Sequence, residues 1–521
     1  MTRLLLLAAA FVVPSLSAQT VSDAFRYSQR DIGTGARAIG LAGAGASGID
    51  DISALVSNPA GLGFYTGSEV TGSLAFGSVN VDANYLIGDA GFSRDETAGT
   101  VRIGNAAFVS RAPTVRGSLV FAAAYNQTAS FDRTLAFRGE TNQSSISASF
   151  LPFDDEISID SDGNLSILSG PVFTAFRGGL IEYLPENIGT DQALFYEAVV
   201  PGSTIEQRSE VRERGAMHEI SFGGAVEVAP GIMVGAGANL TVGRYELERR
   251  FEERDINDEN RPDDYIVLLD DGSELRGFDR STFDVGLTSD MLGINGRFGV
   301  AIQPEGSPIR FGLSAETPTY VSVNEDFFTR VSTEFDNGGS LEFDDRDDNF
   351  VLNETEYALV TPWRLSGGVA YAMGPAYVSV DLETLDWGDM YFDDVNGGAS
   401  QEFRALNDDL EDNYGRVYNV RVGGEFTYDR VTLRAGIAFE QDPLDDGGVF
   451  DDGDEASFDR DRTTGSFGAS IGLGNRTMLD LGYSYTQFDD ANIPYFDPAA
   501  SPFVEEDVQR SRFLVGVRIG I

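Results

Sequence analysis

Along most of this chain hydrophobic and polar residues alternate in stretches of roughly 10–20 residues, the mark of strands whose successive side chains point to opposite faces. The C-terminal "SRFLVGVRIGI" shows the pattern. Phe513, Val515, Val517, Ile519 and Ile521 share one face, and Leu514, Gly516, Arg518 and Gly520 share the other. "VYNVRVGGEFTY" splits the same way. Tyr418, Val420, Val422, Phe426 and Tyr428 lie opposite Asn419, Arg421, Gly423, Glu425 and Thr427. A wholly apolar face opposite a small or charged one fits a closed barrel in lipid with a polar interior. A water-soluble sandwich would invert that logic and use shorter strands.

Fourteen strands are expected, near 69–86, 100–110, 117–134, 216–228, 232–252, 291–303, 309–328, 357–373, 376–392, 416–428, 431–441, 464–473, 477–488 and 508–521. The connections alternate between short and long. Pro230-Gly231, Gly374-Pro375, Asp429-Arg430 and Asn475-Arg476 are tight turns. The long connections fall at about 87–99, 135–215, 253–290, 329–356, 393–415, 442–463 and 489–507, and most are acidic. Short turns on the periplasmic side and long loops outside are the habit of outer-membrane barrels. An even strand count puts both chain ends in the periplasm. No run of ~18 apolar residues offers a spanning helix, and lipid admits only helices or closed barrels.

The first residues set the compartment. A short basic start at Arg3, an apolar run from Leu4 to Val13 and small residues ending at Ala18 read as a secretion signal over 1–18. The chain then divides into a non-strand segment over 19–66 and a barrel over 67–521.

Composition removes several functions. There is no cysteine, so thiolate metal sites and cysteine nucleophiles are excluded, and His218 is the only histidine. His218 falls on the lipid-facing set of its strand, which argues against a catalytic role. The chain is not expected to be an enzyme. The net charge is −46, from 83 acidic and 37 basic residues, every basic one an arginine. Such a surface repels nucleic acid.

One stretch does not alternate: "DDISALVSNPAGLGFY", Asp50 to Tyr65. It is apolar, too short to span and holds Pro59. Asp50 or Asp51 can cap a short helix through Val56 or Ser57. Pro59 helps stop that helix, and Gly61 and Gly63 let the chain turn toward a strand at Glu69.

Here the residues resemble a known family, the FadL/TodX outer-membrane transporters of long-chain fatty acids and aromatic hydrocarbons, in a Bacteroidetes-like style. The resemblance is strongest over Gly33–Tyr65, whose Asn58, Pro59, Ala60 and Gly61 match that family's N-terminal hatch motif. "RFGLSAETPTY", "TPWRLSGGVAY" and "NVRVGGEF" resemble its barrel strands. It implies an all-β fold: a fourteen-stranded antiparallel transmembrane barrel plugged by the hatch. It further implies passive uptake of hydrophobic small molecules past the hatch, with lateral exit at a kink in the third strand. Asn126 and Gln127 interrupt that strand's apolar face, so the kink is expected there. The alternative within the family is a structural or protein-secretion barrel that moves no small molecule. The expected partners are outer-membrane lipid and a hydrophobic ligand, the expected state a monomer.

The inward positions hold Arg310, Arg364, Asp381, Glu383, Arg421, Glu425, Arg434, Asp480 and Arg518, together with Glu316. They could line a polar path or meet a ligand's carboxylate. They could equally pair with one another, fill the lumen and hold the hatch. Asp381 and Glu383 look like an acid–base pair but fit lumen filling better. The long 135–215 connection has apolar pieces, "SFLPF", "GPVFTAF" and "ALFYEAVV", which read as an exposed capture surface or as a self-packed cap. No cofactor is expected. Calcium is the one ion that acidic tips such as Asp160–Asn164 and Asp451–Glu455 could hold, although neither has a complete calcium-loop spacing.

Overall fold

The computed structural model describes residues 21–87, 90–152, 157–159, 165–167, 170–183, 195–269, 271–347, 354–395, 401–444, 460–495 and 502–521. The secretion-signal segment and both acidic fragments considered for calcium lie outside the described residues. Among the described residues no cluster of three or more His, Cys, Asp or Glu is arranged to hold a metal.

Fourteen antiparallel strands close on themselves. They are β1 (Glu69–Ile87), β2 (Ala90–Ala112), β3 (Leu119–Ser130, continued as Arg133–Thr141), β4 (Ile205–Ala229), β5 (Ile232–Asp255), β6 (Arg280–Ile302) and β7 (Ile309–Glu316, continued as Tyr320–Glu334). Then come β8 (Glu354–Val360, continued as Arg364–Met373), β9 (Ala376–Asp386), β10 (Arg416–Tyr428), β11 (Val431–Glu440), β12 (Arg462–Gly472), β13 (Thr477–Asn492) and β14 (Phe503–Gly520). The barrel closes where β1 pairs with β14, from Glu69↔Gly520 to Leu86↔Phe503. Closure leaves no free edge in lipid.

The two faces separate as the alternation requires. On β6, Leu292, Ile294, Phe298, Val300 and Ile302 are exposed on the outside, while Asn295 and Arg297 between them are buried inside. Tyr371 and Tyr428, beside short turns, and Tyr391 and Tyr418, toward the long loops, are exposed as well. They fit the aromatic girdles of a barrel at its two lipid–water boundaries.

The strands are longer than the sequence pattern indicates. β4, β5 and β6 have 25, 24 and 23 residues, whereas crossing lipid takes ~10. The wall therefore rises beyond the apolar band. Residues 90–99, expected in a loop, belong to β2, and 280–290, 329–334 and 205–215 belong to β6, β7 and β4. The 393–415 connection contains a helix, Gln401–Asn413. These corrections share a cause. Outside lipid the outer face is charged, so the apolar stripe that marks a strand disappears. Cross-strand pairs such as Arg212↔Glu248 and Glu210↔Arg250 take its place.

Candidate functional site

The segment before β1 lies against the inward faces of the strands. It holds α1 (Val21–Ser28), α2 (Ala36–Gly40), α3 (Ala54–Ser57) and a 3-10 turn, Pro59–Phe64. α1 sits beside β6 and β7. Its Tyr27 hydroxyl lies 2.8 Å from that of Ser289 and donates to Glu325 at 3.3 Å. Phe25 meets Trp387 edge-on at 4.8 Å and stacks on Tyr414 at 5.3 Å. Lower down, Leu41, Ile49, Ile52, Leu55 and Leu62 pack on Ala107, Val109, Val120, Ala122 and Ala225 of β2, β3 and β4. These inward apolar positions explain why an apolar segment needs no lipid.

Asn58 binds this segment to the wall. Its amide donates to the carbonyls of Ala46 at 2.8 Å, Val300 at 3.2 Å and Leu313 at 3.3 Å, and its oxygen accepts from Ala60 N–H at 3.0 Å. That last bond caps the 3-10 turn, with Pro59 at its first position, where no N–H is needed. The wall makes room with inward glycines. A Cβ on Gly312 would stand 2.0 Å from the Ala46 carbonyl oxygen, and one on Gly235 2.3 Å from the Pro59 backbone. Gly61 and Gly63 act likewise. Both lie within the 3-10 turn and neither has a positive φ; a Cβ on Gly61 would meet the Ile49 carbonyl at 2.4 Å. The expected aspartate cap also differs. α3 is one turn with Ser53 at its N-cap and no side-chain bond there. Asp51 accepts from Ser53 N–H at 2.9 Å, and Asp50 pairs with Arg37 at 3.1 Å.

The inward charged residues form several groups, most of which include the segment. Arg310 donates to the Gly48 carbonyl at 2.5 Å and lies 3.8 Å from the Phe64 ring centre. Arg364 donates to the Ser28 carbonyl at 2.7 Å. Asp381 accepts from the N–H groups of Gly45 and Ala46 at 2.5 and 2.6 Å. Glu383 pairs with Arg421 at 2.9 Å, and Glu425 with both Arg37 at 2.7 Å and Arg434 at 3.0 Å. Asp480 accepts from Arg518 at 3.1 Å and from Ser470. Asp381 and Glu383 thus have separate partners. One of these groups centres on Arg297, which is not among the inward residues expected from the pattern. Arg297, buried on β6, forks onto Glu219 at 2.7 and 2.8 Å, holds Glu316 at 2.8 Å and donates to the Leu55 carbonyl at 2.7 Å. Arg30 also pairs with Glu316. Alternation in β6 places Arg297 inward; nothing in it reveals the partners.

The wall changes character at β3. The β2–β3 ladder runs from Ala112↔Leu119 only to Asn105↔Asn126. Beyond it, Arg133–Thr141 pairs with β4 alone, and β2 pairs only with β1. A seam without main-chain hydrogen bonds results. At its start the β3–β4 register slips between Gln127 and Ala129, and the carbonyl of the intervening Thr128 accepts from Asp31 N–H at 2.8 Å. Both amide atoms of Asn126 and Oε1 of Gln127 are buried without a partner. Side chains bridge the seam. Arg102 of β2 holds Asp132, with one nitrogen at 2.9 Å, and donates to Ser130 at 3.1 Å. Beyond the break β3 leans across to β1, where Phe137 stacks on Tyr85 at 4.7 Å. His218 lies on the outer face near this point and shares a 2.8 Å hydrogen bond with Tyr125.

Among the described residues, three cavities border the segment. The largest, about 270 Å³, lies beside α1, with Phe25, Phe131, Tyr414 and Phe488 among its walls. A second, about 70 Å³, reaches the seam at Arg102, Gln127 and Asp132. A third, about 110 Å³, lies among Arg297, Arg364 and Asp381. Asp31 borders all three.

Over the outer mouth, part of the described apolar residues of the 135–215 connection is packed inward. Ile146, Phe150, Val172, Ala175 and Ile181 are buried with Phe251, Phe283 and Val331 of the wall. They pack as a cap, with Leu151, Phe173, Phe176 and Phe195 half-buried against it; Phe153, Ala193 and Leu194 of the three apolar pieces lie outside the described residues.

No protein-family model and no curated protein sequence matches the chain. Among solved structures it is similar to the Pseudomonas putida toluene transporter TodX, with 14% identity over 94% of this chain and 99% of that one, and a TM-score of 0.51. It is also similar to a Pseudomonas aeruginosa FadL homologue, with 12% identity over 94% of this chain and 98% of that one, and a TM-score of 0.53. The chain has the fold of a FadL/TodX-type outer-membrane transporter.

Proposed function

We propose that this chain is an outer-membrane channel through which hydrophobic small molecules, long-chain fatty acids or aromatic hydrocarbons, diffuse passively past the N-terminal hatch. The carrying observation is the arrangement at Asp31. One residue of the hatch, Asp31, borders both a cavity walled by Phe25, Phe131, Tyr414 and Phe488 together with charged side chains such as Arg133, Glu213 and Glu506, and a cavity that ends at the unladdered seam between β2 and β3. A ligand held against Phe25 and Phe488 has only this short stretch between it and the seam. The seam offers lateral exit toward the lipid, with Arg102 and Asp132 across it. The two neighbours of the same fold, a toluene transporter and a FadL homologue, support the reading. Catalysis has no support: the paired carboxylates are occupied by hatch N–H groups and arginines, and the single histidine faces outward. The barrel would act as a monomer in the outer membrane.

The test is uptake of radiolabelled toluene and of a labelled long-chain fatty acid by cells with and without the gene. Faster, non-energised uptake of at least one compound is expected. Identical uptake across a wider hydrophobic panel, with the barrel present in the outer membrane, would overturn the proposal.

A further inference from the structure

Carboxylates lower in the lumen face arginines: Glu219 and Glu316 meet Arg297, Glu383 meets Arg421, and Glu425 meets Arg434. Glu253 departs from this where the cap meets the wall. It lies near the outer end of β5, well beyond the apolar band, and is fully buried. Among the described residues no arginine pairs with it; its neighbours are neutral donors and Glu197. Oε1 accepts from the Ile146 N–H at 2.8 Å and the Gln207 amide at 2.7 Å, and Oε2 accepts from the Ser145 hydroxyl at 2.7 Å. Gln207, opposite Glu253 on β4, accepts in turn from Tyr85 of β1 and donates to Tyr495. The Tyr495 hydroxyl lies 2.8 Å from that of Ser144. Ser145 is the N-cap of the 3-10 turn Ile146–Phe150, the first piece of the cap. One carboxyl thus gathers that turn, β1, β4 and β5 into a buried cluster.

Few titratable or charged groups face it. From the cap comes Glu197, joined through two hydroxyls: Ser145 lies 2.7 Å from Ser147, and Ser147 donates to Glu197 at 3.1 Å. From β1 comes the Tyr85 phenol, which burial pushes up and keeps neutral. Beyond β13 stands the Tyr495 hydroxyl. β6 presents Ser281 opposite Glu253. On β5 itself, Arg249 is turned to the Pro494 carbonyl. Burial outweighs the three hydrogen bonds and, with Glu197 nearby, pushes the Glu253 carboxyl from its ordinary 4.5 up to about 7. Protonated, Glu253 donates to Ser145, Ser145 to Ser147 and Ser147 to Glu197, an unbroken chain. Ionised, the cluster holds a buried charge with no cation and a second carboxylate close by. We propose that Glu253 is a proton-operated latch: protonated, it holds the 145–150 turn on the wall, and ionised, it releases the turn and loosens the cap over the outer mouth. A carboxyl that binds its proton more tightly when latched than in water gives a latch that is intact at low pH and lost as the pH rises through about 7. The latch belongs to the cap and does not depend on what passes through the channel.

The chain has no cysteine, so one nitroxide attached at Ser149→Cys, on the latched turn, reads the mobility of that turn in the purified full chain. The mobile fraction of its spectrum should rise severalfold from about pH 5.5 to about pH 8.5, with a midpoint near 7. Glu253→Gln mimics the protonated acid, since its amide both accepts and donates; it should hold the label immobile across the whole range. Glu197→Gln should keep the transition but move its midpoint down, because the neighbouring negative charge is gone. A normal heat-modifiable band shows that each barrel has folded. Mobility that does not change with pH overturns the latch, and so does a transition that persists unaltered in Glu253→Gln. A Glu253→Gln label that is mobile at every pH overturns it too, because the neutral side chain would then fail to hold the turn.

Discussion

At the scale of single residues, the N-terminal segment is held to the wall by contacts that tolerate little change. Asn58 makes three hydrogen bonds to carbonyls from a fully buried position. Asn58→Ala should weaken hatch docking by about 1–3 kcal/mol, the range for leaving buried partners unsatisfied. The expected readout is higher permeability to a large polar antibiotic, with a normal heat-modifiable barrel band. Gly312→Val tests the same contact from the wall side, because its Cβ would enter the space of the Ala46 carbonyl; a variant as tight as wild type would show that the hatch is not seated there. Arg297→Ala should cost more, roughly 3–5 kcal/mol, because Glu219 and Glu316 would lose the cation between them. Urea unfolding of the reconstituted barrel measures it. Much at this scale was legible. The nine inward charged residues follow from alternation alone. The partners on the hatch were not, since Arg30, Arg37 and the Gly45–Ala46 N–H groups sit in a segment with no period to orient them. The inward glycines are visible as a pattern too, but their reason, a backbone passing close by, is a tertiary fact.

At the scale of elements, strand number and order were readable because each lipid crossing needs an apolar stripe. Strand ends were not, because above the lipid the stripe gives way to alternating charges that look like an acidic loop. The third strand shows both outcomes. Asn126 and Gln127 break its apolar face, and the ladder to β2 ends at Asn126. The inward lean of Arg133–Thr141 depends on Phe137 finding Tyr85, a partner 52 residues earlier in the chain. The seam leads to a prediction. Arg102→Gln removes the ionic clasp to Asp132 and leaves the β1–β2 and β3–β4 ladders intact. The initial rate of hydrophobic uptake should rise severalfold, with Asp132→Asn giving the same result and the double variant adding nothing further. Unchanged rates would mean that the seam is not the exit.

At the scale of the whole molecule, the barrel is a wall with the N-terminal segment against its inner face and the longest connection packed at one mouth; on the proposed reading the segment acts as a hatch. The cap buries part of the apolar residues of the longest connection, the N-terminal segment brings paired charges against the inner wall, and the seam is a stretch where β2 and β3 lack a ladder. Deleting residues 21–63 should make the barrel leaky to polar solutes of porin size, read as antibiotic sensitivity; an assembled barrel that stays tight would refute the plugging role. The central claim is that hydrophobic molecules pass this chain without an energy source. Reconstituting the purified full chain into liposomes and following entry of radiolabelled toluene and of a labelled fatty acid tests it most directly. The account predicts protein-dependent, ungated entry of at least one of them, above the rate of protein-free vesicles and slowed by excess unlabelled ligand. Equal rates in vesicles with and without correctly folded barrel would contradict it.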